Sequence, residues 1–409
     1  MSKLEKIRNK FIKKLRSIKL RSVIYFVIIF ALILIIMGIN VYKGLLLDTL
    51  YDQSAGERWS SDETRYGQVS IFFSEESGIS QDKITEYEYN LNKGLIADGY
   101  QEADASKADG TALWDDCFSA MGSITVSKDR RSVDAVAIGI GGNFFDFHPM
   151  TLVSGNYIPG NTVMKDYVIV DEELAWQLFG SNDIIGQQIT LNGVPHYISG
   201  VVKRDSGKYV KAAGLNFPTI YCSFESLATY GQVDASVLAT NGNLGSMSVS
   251  SSSDDEGENG STDVNTDAKG IICMEIVMPN PVDNYAKNFL IDKLGLNTNL
   301  AEVVDNSARF DNFRLLDILG KFYLRSMQLK PVIYPYWENN ARVFENIMAV
   351  LLLIQIVCAI IAAIMVAYFV VQSYRHRKWT VGGLVQKFLD WKYDVESNIA
   401  RHNKKWKYF

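Results

Sequence analysis

A chain of 409 residues, 47% hydrophobic and with a formal net charge of −5, is long enough for two or three domains. Four cysteines exclude a disulfide-stapled scaffold. No basic cluster sits beside a recognition module, which excludes nucleic-acid binding, and the four histidines show no metal-ligand spacing.

From the N-terminus, residues 1–21 carry nine Lys/Arg around an apolar stripe of Leu4, Ile7, Phe11, Leu15 and Ile18. This pattern predicts a basic amphipathic helix lying on a membrane surface. Residues 22–42 follow as a transmembrane helix. The run 23–41, VIYFVIIFALILIIMGINV, has no charge and spans roughly 28 Å as a helix, close to a bilayer core. It is too long for a signal-peptide core and no A-x-A site follows, so a retained helix is expected. A second run at 346–372 has Gln355 as its one strongly polar residue, and residues 373–409 form a second basic, amphipathic tail. Positive flanks stay in the cytoplasm. A cell-membrane protein is therefore expected, with both termini in the cytoplasm and the acidic segment 43–345 on the extracytoplasmic side.

Within that segment, Gln68–Phe73 reads as a strand and Ser80–Ala97 as a helix capped by Ser80, with Ile84, Tyr87, Leu91 and Leu95 on one face. Asp115 and Asp116 read as a solvated turn. Ser132–Ile140, Tyr167–Val170, Gln188–Leu191, Tyr197–Val202 and Thr219–Cys222 are strand candidates. Asn192-Gly193 predicts a hairpin turn, and Asp171 caps a helix over Glu172–Phe179. Residues 241–269, rich in Ser, Gly, Asn and Asp, predict a disordered loop. Beyond it, Ile271–Met278 reads as a strand, Pro281–Leu294 as a helix and Ala301–Val304 as a short strand. The segment thus opens and closes with strand–helix units, which predicts an α+β domain: a split α/β subdomain plus a β-rich subdomain between its halves. Cys222 and Cys273 flank the loop, and a disulfide joins them if their strands are neighbours.

Two runs, GIGGNFFDFHPMTLVSGNYIPG and YVIVDEELAWQLFGSNDIIGQQITLNGVPHYISGVV, resemble the periplasmic core domain of MacB-type ABC transporter permeases, in the FtsX-like permease superfamily. Phe145 and Gly155 match in the first run, and Phe179, Gly180, Gly186 and Gly193 in the second. These are structural positions, and no chemistry is assigned to them. The resemblance implies a porter-like α/β subdomain and a non-catalytic chain that couples a cytosolic ABC ATPase to its outer domain. Relatives usually place three membrane helices after this domain, whereas this chain has one, with Arg375, Arg377 and Lys378 at its exit. The chain lacks a G-x-x-x-x-G-K-[ST] loop.

A second permease or a homo-oligomer is therefore expected as partner, besides membrane lipids, with Ile7, Phe11, Arg375, Arg377, Lys378, Leu384 and Phe388 as the coupling surface. No cofactor and no metal site is expected. The alternatives are a membrane-anchored extracytoplasmic binding or sensory protein that has lost transport, or an FtsX-like regulator of cell-wall hydrolases.

Overall fold

The computed structural model describes residues 20–60, 64–100, 113–205, 207–213, 215–238, 270–327, 329–375, 385–386, 388–393 and 395–396. Residues 1–19 of the expected surface helix and the loop at 241–269 lie outside them. The chain folds as two compact units, one of residues 1–42 with 353–409 and one of residues 43–352.

The first unit contains most of helix α1 (Leu20–Leu47) and the later part of the long helix α10 (Tyr336–Arg375). Both helices are long and apolar enough to cross a membrane, by length and composition. Both also run past the apolar stretches that predict them. Inside this unit Tyr25 meets Tyr368, Phe26 meets Phe369, and Gln355 donates to Asn40 Oδ1 at 2.8 Å. Residues early in α1 thus meet residues late in α10, and the reverse, so the two segments pack antiparallel. The polar groups that stand out in the two apolar runs satisfy each other.

The second unit is built on an eleven-stranded mixed sheet with path order β11-β1-β10-β2-β3-β8-β5-β7-β4. The strands are β1 (Tyr66–Phe73), β2 (Asp115–Lys128), β3 (Arg131–Gly142), β4 (Leu152–Gly155), β5 (Tyr167–Asp171), β6 (Gln188–Leu191), β7 (Val194–Val202), β8 (Thr219–Ser223), β9 (Gln232–Val233), β10 (Cys273–Pro279) and β11 (Ala301–Asp305). β1, β10 and β11, from the two ends of the segment, lie side by side. The two subdomains do not have separate sheets. The 14-residue β2 pairs with β10 at one end and with β6 and β9 at the other, and joins both halves.

Helix α3 (Gln81–Ala97) is capped by Ser80, whose Oγ accepts from the Lys83 N–H. It buries Ile84, Tyr87, Leu91 and Leu95 against Val69, Ile71, Met274 and Ile276, beside Phe289 and Leu290 of helix α8 (Tyr285–Leu294). The opposite face packs Phe72, Cys117, Met121 and Cys273 against Phe144 and Phe147 of helix α4 (Phe144–Phe147) and against Tyr336 and Trp337 of α10. A third core lies under helix α5 (Glu172–Phe179), where Leu174, Ala175 and Leu178 cover Val168, Val170 and Ile220. Asp171 caps this helix through the Leu174 N–H at 2.8 Å. Leu191 pairs with Val194 across Asn192 and Gly193, both at positive φ, which is the I′ hairpin expected of Asn-Gly.

Three expectations need correction. Asp115 and Asp116 open strand β2 instead of forming a turn, and Asp116 is buried. Helix α8 begins at Tyr285, after Asn284 at φ 64, so Pro281 lies in the preceding turn. The Cys222–Cys273 disulfide does not form. β8 and β10 are separated by β2 and β3, so three strand spacings, roughly 14 Å, lie between them, and all four cysteines are free.

Candidate functional site

The first turns of α10 are pinned to the sheet by a buried ionic network. Arg309, in the loop after β11, is 2% exposed and sits between two carboxylates of α10. Its Nη1 and Nη2 donate to the two oxygens of Glu338 at 2.7 and 2.8 Å, and its Nε donates to Glu345 at 2.6 Å. Glu338 also receives Arg342 Nε at 2.7 Å, and Glu345 receives Arg325. Arg342 continues to Glu302 of β11 at 3.0 Å and lies 3.7 Å over the Tyr334 ring. Burial pushes Glu338 up, but Arg309 and Arg342 outweigh it and hold its carboxyl below the usual value. Glu338, Arg342 and Glu345 recur at helical spacing, so one face of α10 carries them all.

The same arginine reaches Gln53 Oε1 at 2.9 Å and Asn306 Oδ1 at 3.3 Å, and Asn306 donates to Ser70 at 2.8 Å. Ser70 in turn donates to Glu275 Oε1 at 2.6 Å. Glu275 stands in the middle of the apolar strand β10, directly opposite Ser70 on β1 and Cys117 on β2. Its other oxygen meets His148 Nε2 in a short contact, and His148 Nδ1 lies 3.0 Å from Asp52. The His148 ring is packed between Phe144 and Trp337, each 4.5 Å away. Burial lowers the His148 pKa, but the carboxylates of Glu275 and Asp52 outweigh it and hold the imidazole up at about 9. Burial, reinforced by Glu275, pushes the Cys117 thiol well above its ordinary value. The ligand atoms of Cys117, His148 and Glu275 all lie within 4.8 Å of one another.

The sequence-derived site residues fall elsewhere. Ile7, Phe11, Arg377, Lys378 and Leu384 lie outside the described residues. Arg375 is the last residue of α10, and Phe388 is exposed beside Trp391. Phe145 is buried and stacks on Tyr157 at 4.9 Å. Gly155, Gly180, Gly186 and Gly193 all have φ between 71° and 84°, and Phe179 lies under Lys128 at 5.9 Å. These positions shape turns and packing, and the structure does not gather them into one site. The buried network was missed. Its legible signals were a lone Glu inside IICMEIVM and the i, i+4, i+7 charges at 338, 342 and 345. Arg309 and His148 give no local signal.

The features together define a mixed-sheet α+β domain that lies in sequence between two long apolar helices. Residues 61–258 match the family model of the MacB-like periplasmic core domain. Among curated proteins none matches. Similar solved structures include the extracellular domain of the noncanonic ABC-type transporter YknZ from Gram-positive bacteria, at 16% identity over 58% of this chain and 99% of that one, TM-score 0.33. The periplasmic region of MacB from Actinobacillus actinomycetemcomitans matches at 12% identity over 64% and 94%, TM-score 0.34. A domain of a permease-type protein from Porphyromonas gingivalis matches at 11% identity over 60% and 90%, TM-score 0.30.

Proposed function

We propose that the protein is a non-catalytic, permease-type subunit of an ABC transporter or mechanotransmission complex, coupling a cytosolic ATPase to its extracytoplasmic domain. The observation that carries this reading is the buried network. It joins the leading turns of α10 to the sheet through Arg309, Glu338 and Glu345, each of them at least nine-tenths buried. Buried ion pairs of this kind hold a fixed geometry, because loosening one member leaves an uncompensated charge. A helix attached in this way passes displacement to the sheet instead of sliding against it. The antiparallel packing of α1 on α10 supports an arrangement in which both termini share one side, and the basic ends assign that side to the cytoplasm. In this reading the chain divides at 1–21, 22–42, 43–345, 346–372 and 373–409, the limits that charge and hydropathy suggest. Partner contacts are assigned to the basic, apolar-striped ends, with Ile7, Phe11, Arg375, Arg377, Lys378, Leu384 and Phe388 facing the ATPase or a second permease.

Two experiments test this. A cysteine at Val163, which is 90% exposed, is expected to label with a membrane-impermeant reagent in intact cells, and one at Trp391 only after lysis. The opposite pattern refutes the topology. The full chain, purified from native membranes in mild detergent, is expected to bring an ATPase with it, and L384D/F388D to lose that ATPase with unchanged insertion. Recovery without any ATPase or permease favours the anchored binding or sensory protein.

A further inference from the structure

We propose that Cys117, His148 and Glu275 form a binding site for a divalent transition metal of the zinc class. Three distant chain segments converge there. Glu275 of β10 and Cys117 of β2 are direct cross-strand partners, so the sheet register itself sets a carboxylate beside a thiol on the same buried face. His148, immediately after α4, brings its Nε2 to the same point from above the sheet. The three ligand atoms are within 4.8 Å of one another, and all three residues are buried. Tetrahedral coordination with a metal–sulfur bond of about 2.3 Å and metal–nitrogen or metal–oxygen bonds of about 2.0–2.2 Å needs ligand atoms roughly 3.3–3.7 Å apart. Reaching that geometry requires the short His148–Glu275 contact to open and any ligand pair beyond about 3.7 Å to draw in. Mixed sulfur, nitrogen and oxygen ligands suit zinc and its neighbours, and not calcium or magnesium.

The surroundings are those of a ligand set already oriented. Metal-bound histidines commonly give their second ring nitrogen to a carboxylate, and here Asp52 lies 3.0 Å from His148 Nδ1. The Glu275 oxygen turned away from the histidine is held by Ser70 at 2.6 Å and Gln68 at 3.3 Å. Metal binding needs a thiolate and an unprotonated imidazole nitrogen, so protons on Cys117 Sγ and His148 Nε2 leave to solvent as the metal enters. A cleft of about 720 Å³ lies next to the site, lined by Gln53 and Pro149, the chain neighbours of Asp52 and His148.

The test uses the full chain in detergent, stripped with a chelator and titrated with Co²⁺. The expected result is one equivalent bound per chain, with a thiolate-to-cobalt charge-transfer band that Zn²⁺ abolishes. C117S is expected to lose the band, whereas C222S, altering a buried thiol elsewhere, keeps it. D52N is expected to weaken affinity about 10–100-fold without removing the band. Should C117S fail to fold, the wild type alone decides. Absence of stoichiometric Co²⁺ and of the band in folded wild-type protein overturns the proposal, as does a band undiminished in folded C117S.

Discussion

Replacing Arg309 with Ala removes the centre of the network that holds α10 to the sheet. Breaking a buried ion pair by removing one partner costs about 3–5 kcal/mol, because the remaining charge is left without compensation. Here two carboxylates lose a partner, but neither is fully abandoned. Glu338 keeps Arg342 at 2.7 Å and Glu345 keeps Arg325. The lower end of the range applies, about 3 kcal/mol, or roughly a 150-fold fall in the folding equilibrium constant. Urea unfolding in detergent, followed by tryptophan fluorescence, reads this as a lowered midpoint at unchanged slope. The double variant R309M/E338L removes both charges and is expected to recover much of the loss, since apolar replacement of a buried pair is often neutral. If R309A costs less than about 1 kcal/mol, or the double variant loses as much as the two single changes added together, the network does not hold the helix as argued.

Acid is expected to loosen the same junction. Glu338 has a folded pKa below its unfolded value, so its contribution is present above the unfolded value and is lost as pH falls through the folded one. Unfolding midpoints should therefore drop below about pH 4.5, and drop less in E338Q. G155A is expected to cost more than G186A, because a Cβ at Gly155 falls far inside contact distance of the Ser199 carbonyl oxygen whereas Gly186 faces open space. At similar positive φ, each pays about 1–2 kcal/mol of backbone strain, and thermal melts of the two variants separate the added clash. Q355L should weaken the α1–α10 pair by about 0.6–2 kcal/mol, read by disulfide cross-linking yield between cysteines placed at Tyr25 and Tyr368.

Much of this fold was legible because local chemistry and tertiary outcome agree. Ser80 and Asp171 cap the helices they precede, and Asn192-Gly193 makes the turn its backbone preference dictates. The errors lie where long-range pairing decides. Asp115 and Asp116 look like turn residues, yet Asp116 is carried into a strand that pairs with β10 on one side and β3 on the other. Pro281 is a good first helical residue, but the chain spends three further residues turning before the helix starts. The disulfide expectation failed because sequence proximity to one loop says nothing of sheet order. The buried site was the least visible. Its members lie at 52, 148, 275, 309 and 338, and no local period links residues that only the sheet brings together. Glu275 was the exception, a charge inside an apolar strand that required a partner somewhere.

The long ribbon of β2 and β3 has a mechanical consequence. Twelve consecutive residue pairs join these strands, and the ribbon belongs to both halves of the domain. At its waist Gly122 has no room for a side chain, since a Cβ there would collide with the Gln232 carbonyl oxygen. Among the described residues, the two halves share this continuously paired ribbon. Torque applied where α10 meets the sheet therefore reaches the far edge as a small, stiff twist, and heat or denaturant should melt both halves in one cooperative step.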